Sequence, residues 1–272
     1  MTALNRDVSN RCHLLHEDSE LAEAIAPAKR QRVADELVAR TICLPPGDWS
    51  GERSESTRGI GLLVTQGLLV RSVGIGEVCG AELLGAGDLL RPWQGEDAMA
   101  TLFQRTGWRV LEPTVMAVLD RHLAIRLVGY PELMEQLVGR ALARSRNLAA
   151  NMAIVHQARV DVRLHMLLWH LADRWGYVRP DGVALPVHLT HAVLADLVAA
   201  RRPTVTRALS ELTARGLLAT MAKGWLLLGQ PPGDLGEITL PDPLQMHSGA
   251  CPDDTPAMNR RSLATEPDLS RR

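Results

Sequence analysis

The segment AARRPTVTRALSEL, residues 199–212, combines charged and hydroxyl side chains with the spacing of an amphipathic helix. Val205 and Leu209 lie four residues apart and therefore share one apolar face. Arg207 projects from the opposite face, and Arg202 flanks the exposed first turn. Arginine offers forked donors to guanine O6 and N7, and free N–H groups at a helix start meet phosphates. The chemistry that this segment could do is the recognition of DNA.

A hairpin, a second helix and a wing are predicted around this helix. Thr190 is a suitable N-cap for HAVLADLVA, whose apolar residues point one way. The recognition helix begins near Arg202, where Pro203 is tolerated because a first-turn N–H has no helical acceptor. Upstream, YVRPDGVALPV is typical of a hairpin, and downstream GLLATMAKGWLLLG is typical of a wing that could lay Lys223 on the DNA backbone. This order predicts a winged helix-turn-helix, whose second helix enters the major groove.

The predicted DNA contacts lie on the recognition helix, at a helix start or on the wing. Five basic residues stand against Glu211 alone between Leu197 and Lys223, a local balance of +4 in a chain of formal net charge −1. A positive segment suits a polyanionic partner, although solvated surface charge or an arginine paired with Glu211 is the structural alternative. The predicted contacts are Thr190, Arg201, Arg202, Pro203, Thr204, Thr206, Arg207, Ser210 and Lys223.

The upstream half of the chain shows three patterns. Residues 1–40 are predicted to be helical and polar, whereas short apolar segments punctuated by glycine in residues 41–120 indicate a small antiparallel barrel or sandwich. From Pro131, a near-heptad seam continues for about three heptads. It predicts a dimerisation helix that pairs with its symmetry mate, or else a core helix lying on its own β domain. The seam consists of Met134, Leu137, Ala141, Ser145, Leu148, Met152 and Val155.

The composition favours a globular protein of two domains and disfavours other classes. Of 272 residues, 46% are apolar and 22% are charged, so the chain can bury real cores. No membrane-spanning run or signal peptide is evident, and a cytoplasmic location is expected. The four cysteines, Cys12, Cys43, Cys79 and Cys251, have no C-x-x-C spacing, which predicts neither disulfides nor a zinc ribbon. The sequence has no G-x-S-x-G, H-E-x-x-H or Walker loop, so an enzyme is not expected.

The segment LTHAVLADLVAARRPTVTRALSELTARGLLAT resembles the winged helix-turn-helix of the cyclic-AMP receptor protein and FNR superfamily of bacterial transcription regulators. The β-rich segment, long helix and winged domain also occur in that family's order, so the resemblance covers residues 20–229. The family reads DNA with an arginine, an acidic residue and a second arginine. Arg202 and Arg207 match the two arginines, but Pro203 stands at the acidic position. Proline cannot accept from cytosine N4, so the family's usual operator is not expected.

Other positions also depart from the family pattern. Ala199 stands where a turn glycine is common, which implies backbone strain if that residue needs a positive φ. The family's cyclic-nucleotide pocket uses a Gly-Glu cassette, an Arg-Ser pair and hydroxyl residues on the dimer helix. Here Pro92 falls at the ribose-binding glutamate, and Leu148 and Ala149 have no hydroxyl, while Arg105 could still meet a phosphate. We therefore expect no control by cyclic AMP through the usual pocket.

Sensing members of the same superfamily supply the alternative function. Cys12 and His16, with His13 between them, offer three N/S ligands, but a tetrahedral site requires a fourth. The N-terminal cysteine cluster of the iron–sulfur members is missing. The prediction therefore contains no metal and no cofactor. The alternatives are a sensor of haem, metal, redox state or another nucleotide, and a protein-interaction module.

These patterns predict an α+β protein with four regions. A cyclic-nucleotide-binding-like β-barrel with N-terminal helices occupies residues 1–130, the dimerisation helix 131–158 and the winged helix-turn-helix 159–229. Residues 230–272, which contain seven acids against four arginines, are expected to form a disordered tail. The predicted function is sequence-specific DNA binding by a homodimeric transcription regulator. Its expected partners are double-stranded operator DNA and RNA polymerase, and no membrane.

Overall fold

The N-terminal half folds into an antiparallel sheet accompanied by short helices. The computed structural model describes residues 11–51, 59–76, 78–93 and 104–232, so the predicted tail from residue 233 onward, with Cys251, lies outside the described residues. The strands follow the order β1-β2-β7-β4-β5, while β3 pairs with β7 and β6 with β4. The elements are β1 (Arg11–His13), α1 (Leu14–Glu17), α2 (Ser19–Glu23), α3 (Pro27–Glu36), β2 (Val38–Leu44), β3 (Gly47–Trp49), β4 (Gly59–Ile75), β5 (Val78–Gly85), β6 (Leu89–Leu90) and β7 (Gln104–Asp120).

Two long strands, β4 and β7, take the place of several short predicted strands. Each has 17 residues, and the two pair along most of their length. Their register shifts between Gln66 and Leu68, opposite Pro113, and Gly67 adopts a φ of 94° there. A Cβ on Gly67 would lie 2.4 Å from the Pro113 carbonyl oxygen, so only glycine fits where this bulge brings the backbones together. The glycines therefore mark bulges within strands as well as turns.

The N-terminal elements differ from the prediction of helices over residues 1–40. β1 is a strand, β2 already begins at Val38, and the sequence did not predict α4 (Arg121–Leu127). Asp120 caps α4, because its side chain accepts a hydrogen bond from the Leu123 N–H at 2.9 Å. These elements are too short to show a periodic pattern, so long-range pairing and packing decide their conformation.

Helix α5 (Pro131–Val155) packs one face against its own chain and exposes the opposite face. Leu133 and Leu137 are buried in a cluster with the N-terminal helices, and Met134 packs against the same cluster. Leu137, one of the predicted seam residues, is only 2% exposed, which agrees with the alternative that this part of the helix lies on its own domain, and the dimer seam stays a prediction. The remaining seam residues are exposed at Ala141, Ser145, Leu148 and Met152 and half-buried at Val155.

The C-terminal half contains the predicted hairpin, two helices and wing in the predicted order. Its strands form a second antiparallel sheet in the order β10-β11-β9-β8. The mixed helix-and-sheet fold class is therefore confirmed. The division of the chain into four regions stays a prediction. The elements are α6 (Val160–Trp175), β8 (Tyr177–Arg179), β9 (Gly182–Leu185), α7 (His191–Leu197), α8 (Arg202–Ala214), β10 (Leu218–Thr220) and β11 (Trp225–Leu227).

Three apolar clusters form the core. One includes Val64 and Trp108 of the N-terminal sheet, and a second joins the N-terminal helices to the start of α5. The third extends from Leu68 on β4 to Leu171 on α6 and Leu197 on α7. The N-terminal sheet and the helix-turn-helix therefore share one continuous apolar core. Within the described ranges, no helix is long and apolar enough to cross a membrane.

Candidate nucleic-acid interface

The recognition helix α8 is held against α6 and α7 by its apolar face. Val205, Ala208, Leu209 and Leu212 are all buried, as their spacing predicted. The side chains on the opposite face point outward, so the helix presents polar and cationic groups to solvent. The exposed residues include all the predicted contacts of this helix and its start, namely Arg201, Arg202, Pro203, Thr204, Thr206, Arg207 and Ser210.

A tight turn with one strained residue connects α7 to α8. Ala199 has a φ of 50°, and it is the only non-glycine residue with a positive φ in the part of the chain that the structure describes. The Ala200 N–H donates to the Ala195 carbonyl oxygen at 2.9 Å and so closes the C-terminus of α7. The turn requires the left-handed conformation that a glycine would adopt without cost, so the strain implied by the sequence is present.

The first turn of α8 presents donors and cations together. Val205 is the first residue whose N–H closes a helical hydrogen bond, to the Arg201 carbonyl oxygen at 3.1 Å. The N–H groups of Arg202 and Thr204 precede it and have no helical acceptor, and Pro203 has no N–H. Among the described residues, neither Arg201 nor Arg202 forms an ion pair. Charge and N–H donors that point in one direction suit a phosphate or a base edge.

The hydroxyl groups of Thr206 and Ser210 on α8 are hydrogen-bonded within the protein. Thr206 Oγ1 donates to the Arg202 carbonyl oxygen at 3.1 Å, and Ser210 Oγ donates to the Thr206 carbonyl oxygen at 3.1 Å. Because the Thr206 proton is used there, its oxygen accepts from His191 Nδ1 at 2.9 Å, which assigns the imidazole proton to Nδ1. Either hydroxyl must rotate away from its carbonyl before it can donate to a phosphate oxygen.

His191 is a neighbour of the recognition helix that sequence reasoning missed. It is the first residue of α7, directly after the N-cap Thr190, and its ring ties that helix start to Thr206. A single histidine at a helix start has no distinctive spacing, so only the contact between the two helices reveals it.

Arg207 forms an ion pair one helical turn along the same exposed face. Its Nε lies 2.9 Å from Glu211 Oε1, and the two side chains are 83% and 45% exposed. This is the structural alternative that the sequence left open. Exposed pairs of this spacing contribute only about 0.3–0.5 kcal/mol, so a guanine edge can displace Glu211 at small cost.

Lys223, at the tip of the wing, is directed at the N-terminal sheet. Its Nζ lies 3.1 Å from Glu112 Oε1 on β7. Gly224 fixes the tip, because a Cβ at that position would lie 2.0 Å from the Leu185 carbonyl oxygen. The ammonium group is therefore held by a carboxylate in this conformation, and a phosphate must compete with Glu112 for it.

An open groove of about 710 Å³ lies between α8 and the wing. Thr190, Thr206 and Ser210 are among its lining residues, together with Thr220 of the wing. Thr190 is the N-cap of α7, as predicted, because its hydroxyl accepts from the Val193 N–H at 3.3 Å. Hydroxyl groups along a groove can follow a sugar-phosphate backbone, which is the positioning part of DNA recognition.

A partly buried cluster of polar side chains lies on α6, behind the recognition helix. The Trp169 indole N–H donates to His165 Nε2 at 3.0 Å, and burial lowers the pKa of His165. The imidazole therefore stays neutral with its proton on Nδ1. Asp161 accepts from Arg159 at 2.7 Å and lies 3.5 Å from Arg215, which links α6 to the end of α8.

The predicted nucleotide-pocket positions divide between two surroundings, because Leu90 packs in the apolar cluster of the N-terminal sheet, whereas Gly87, Asp88 and Leu148 line a cavity of about 370 Å³. Trp49 packs edge-to-face on Trp108, with ring centroids 5.7 Å apart, and both contact the buried cluster of the sheet. Pro92 packs close to Gly51. Of the other predicted pocket positions, Arg105, Leu148 and Ala149 are exposed, and residues 94–103 lie outside the described residues.

The N-terminal cysteine and histidines make other contacts. Cys12 is buried, and burial raises its pKa to about 11, with Glu17 adding to the effect. His13 Nδ1 lies 2.9 Å from the Ala34 carbonyl oxygen, and its ring centroid is 5.0 Å from that of His16. In the described ranges, no three histidine, cysteine or acidic side chains are grouped to hold a metal ion.

Comparison with known proteins agrees with the geometry of the interface. Residues 162–232 match the family model of the Crp-like helix-turn-helix domain. This range includes α7, α8 and the wing. No curated protein sequence matches the chain significantly.

Three solved structures share the fold over most of the chain. A cyclic nucleotide-binding domain containing protein from Listeria monocytogenes is 14% identical, with a TM-score of 0.57, and the match covers 77% of this chain and 96% of that one. A CooA mutant from Carboxydothermus hydrogenoformans is 19% identical, with a TM-score of 0.54, covering 71% and 84%. CLP of Xanthomonas campestris, described as a c-di-GMP responsive global regulator, is 18% identical, with a TM-score of 0.50, covering 78% and 100%.

The class of protein follows from the match and the fold together. Residues 162–232 form a Crp-like helix-turn-helix domain, the type of domain that binds DNA. The chain shares its fold with solved structures that include CooA and CLP, and the Crp-like domain lies where the sequence resemblance predicted it.

Proposed function

We propose that this protein is a sequence-specific DNA-binding transcription regulator that acts as a homodimer. The observation that carries the proposal is the outward face of α8, where Arg201, Arg202 and Arg207 are exposed above a buried apolar face. The match to a Crp-like helix-turn-helix domain supports double-stranded DNA as the partner.

The roles of the contact residues follow from their positions on the helix. Arg202 and Arg207 each give forked hydrogen bonds to a guanine edge. Arg201 and Ser210 lie next to this pair. Pro203 has no side-chain acceptor for the N4 amino group of cytosine, so that base is not read at this position. Thr190, Thr204, Thr206 and Lys223 hold phosphates at helix starts and on the wing.

The dimer forms along the exposed face of α5. Val138, Leu142 and Met152 are each more than half exposed, and Leu148 is also exposed, so a stripe of large apolar side chains faces away from the chain's own core. Ala141 and Ser145 lie between them and allow a close approach of a second helix. A two-fold dimer places two recognition helices on successive major grooves, so the operator is a near-palindrome with half-sites about one helical turn apart.

The regulator is not controlled by cyclic AMP through the usual pocket. Pro92, which stands where the ribose-binding glutamate would be, supports this, as do Leu148 and Ala149, which lack the hydroxyl groups that would meet the base. The alternative is a member of the superfamily that senses another ligand, metal or redox state. The likeness to CLP, which is described as c-di-GMP responsive, favours a different nucleotide within that alternative.

The protein is cytoplasmic, contacts RNA polymerase and has no enzymatic activity. Its four regions are a β domain with N-terminal helices to residue 130, a dimer helix over 131–158, a DNA-binding domain over 159–229 and a tail. No second class of function has a specific observation in its favour.

A gel-shift titration against salt tests the DNA-binding proposal directly. Double-stranded DNA selected from a randomised pool should bind with an affinity that falls steeply with salt, because each neutralised phosphate releases counterions. Sedimentation of the same samples should show a dimer alone and a dimer on the duplex. A monomer that binds one asymmetric site at full affinity would rule out the dimer, and salt-independent affinity would rule out DNA as the partner.

Calorimetry with cyclic AMP tests the effector part of the proposal. No binding is expected in the micromolar range, which corresponds to about −8 kcal/mol. Operator affinity should be the same with and without the nucleotide. A stoichiometric isotherm together with tighter operator binding would contradict this part and leave the DNA-binding part intact.

A further inference from the structure

Arg163, in the first turn of α6, donates hydrogen bonds to backbone carbonyl groups in two separate segments of the chain. Its Nε donates to the Gln157 carbonyl oxygen at 2.5 Å, in the connection between α5 and α6. Its Nη1 donates to the Val198 carbonyl oxygen at 3.2 Å and to the Ala199 carbonyl oxygen at 3.3 Å, in the turn between α7 and α8. One guanidinium group therefore ties the end of α5 to the helix-turn-helix.

The surroundings of Arg163 show that these carbonyl groups are its partners in the fold. The side chain is half-buried, and in the ranges that the structure describes it forms no ion pair. Val198 is fully buried, so its carbonyl oxygen cannot bond to water in place of the guanidinium. A cation at the C-terminus of α7 is also favoured by the helix dipole.

The turn that Arg163 holds determines the direction in which the recognition helix leaves α7. It contains Ala199, whose φ of 50° is unfavourable for a residue other than glycine, and α8 begins three residues later. The apolar contacts of α8 with α6 and α7 are non-directional, whereas a hydrogen bond weakens steeply when its angle departs from the optimum. The bonds of Arg163 therefore restrict the angle of the turn more tightly than the apolar packing does.

We propose that Arg163 is a positioning residue that fixes the recognition helix relative to the end of α5 and thereby selects the half-site spacing of the operator. The inference rests on the proposed function, because spacing has a meaning only for a dimer on DNA. In a two-fold dimer paired along α5, the separation and twist of the two recognition helices depend on how each helix-turn-helix is set on its own α5. Arg163 acts through the turn and does not itself contact DNA.

Arg163→Lys separates this bridging role from the effect of the charge. The nitrogens that reach Gln157 and the turn are different atoms of the guanidinium fork, whereas lysine carries all its donors on one nitrogen. The ammonium group can hold one segment at a time, and it keeps a cation near the end of α7. Arg159→Lys is the matched control, because Arg159 lies in the same connection but donates to the side chain of Asp161.

Gel shifts on a series of duplexes measure the spacing preference. Each duplex carries two copies of the selected half-site, at the preferred separation or with one or two base pairs inserted or removed. Each inserted base pair turns one half-site by about 35° relative to the other, so the native chain should lose at least about ten-fold in affinity at the first insertion. Arg163→Lys should bind the two spacings within about three-fold of each other, because its recognition helix can turn to follow the second half-site. Arg159→Lys should keep the native discrimination.

Hydrogen exchange of the turn gives a readout that does not require DNA. The N–H groups of Ala199 and Ala200 donate to carbonyl oxygens at the end of α7. Their exchange should be faster in Arg163→Lys than in the native chain and unchanged in Arg159→Lys. Adding Ala199→Gly to Arg163→Lys relieves the strain of the turn, so it should raise stability to urea without restoring the spacing preference.

Each other outcome decides against the proposal. A native spacing preference in Arg163→Lys would overturn the positioning role, and with faster exchange it would leave Arg163 as a cap on α7 alone. Loss of the preference in Arg159→Lys as well would show that any change in the connection has this effect. If Ala199→Gly restores the preference to Arg163→Lys, strain in the turn accounts for the loss and bridging does not. If the native chain binds no duplex, the proposed function fails, and the spacing role falls with it even where exchange shows the tie.

Discussion

The inward face of α5 and the outward face of α8 both carry arginines, but the two sets differ in burial and in partners. Arg140 and Arg144 on α5 are 12% and 19% exposed. Each forms a two-pronged pair with one carboxylate, of Asp18 and Glu82 respectively. Both carboxylates are also largely shielded from water. These arginines therefore connect α5 to the rest of its own chain.

The arginines of α8 are placed in the opposite way. Arg207 makes one exposed contact with Glu211, and Arg201 and Arg202 have no carboxylate partner within the described ranges. The same side chain type thus fixes the fold on one helix and remains available for recognition on the other. An arginine that pairs with a buried carboxylate stabilises the fold, whereas an arginine without such a partner is free for recognition. The local density of positive charge does not distinguish the two.

The largest expected effect is on folding and concerns Arg144. Arg144→Ala leaves Glu82 largely buried without its two-pronged partner, so the free energy of unfolding should fall by about 3–5 kcal/mol. Urea unfolding measures this change, with Arg207→Ala as the control, whose effect should stay within about 0.5 kcal/mol. Similar losses in the two variants would remove the distinction between the two faces.

The next effect is on recognition and concerns Arg202 and Arg207. Replacing either with alanine should cost about 1–3 kcal/mol at the cognate base and relax the preference there, with unfolding unchanged. A selection with randomised half-sites measures the preference at every position. If Arg207→Ala keeps the native preference throughout and loses only overall affinity, Arg207 clamps the backbone and does not read a base.

A smaller effect is expected on the salt dependence of binding. Lys223→Ala should weaken all sequences alike and reduce the salt slope by roughly one unit, as expected for one lost phosphate contact. Thr190, Thr204 and Thr206 should also act on all sequences alike. Glu112→Gln should have the opposite effect to Lys223→Ala, because it releases the ammonium group, with a gain of about 0.2–1 kcal/mol. Unchanged affinity in both variants would place Lys223 away from the DNA.

The smallest effect concerns the turn between α7 and α8. Ala199→Gly removes the left-handed strain, roughly 1–2 kcal/mol, but gives the unfolded chain back about 0.4–1 kcal/mol of entropy. The net expectation is a gain in unfolding free energy of about 0–1.6 kcal/mol, measured by urea titration. Base preference should stay as in the native protein. A loss of stability would mean that Ala199 makes a packing contribution that outweighs its strain.

The helix-turn-helix was predictable because its signals are local. The start of α8 at Arg202, the N-cap Thr190 and the buried positions Val205 and Leu209 all follow from spacing within a few residues. The positive φ of Ala199 follows from the turn that this spacing imposes. The most specific part of the family resemblance rests on the same segment.

Features that depend on distant contacts escaped the prediction. β1 and the length of β4 and β7 depend on pairing across the sheet, and Leu137 is buried by helices far away in the sequence. The contact of Lys223 with Glu112 likewise joins two regions that no periodic pattern connects. The individual DNA and dimer contacts stay predictions, because they depend on partners that a single chain does not contain.

The apolar cluster that joins Leu68 to Leu171 and Leu197 has a consequence for modularity. DNA-binding domains spread by recombination most easily when they can be cut from one sensor and fused to another without exposing apolar surface. Here the β4–β5 hairpin covers part of the apolar surface of the C-terminal domain, so that domain on its own would expose an apolar patch unless a new neighbour supplied a matching hairpin.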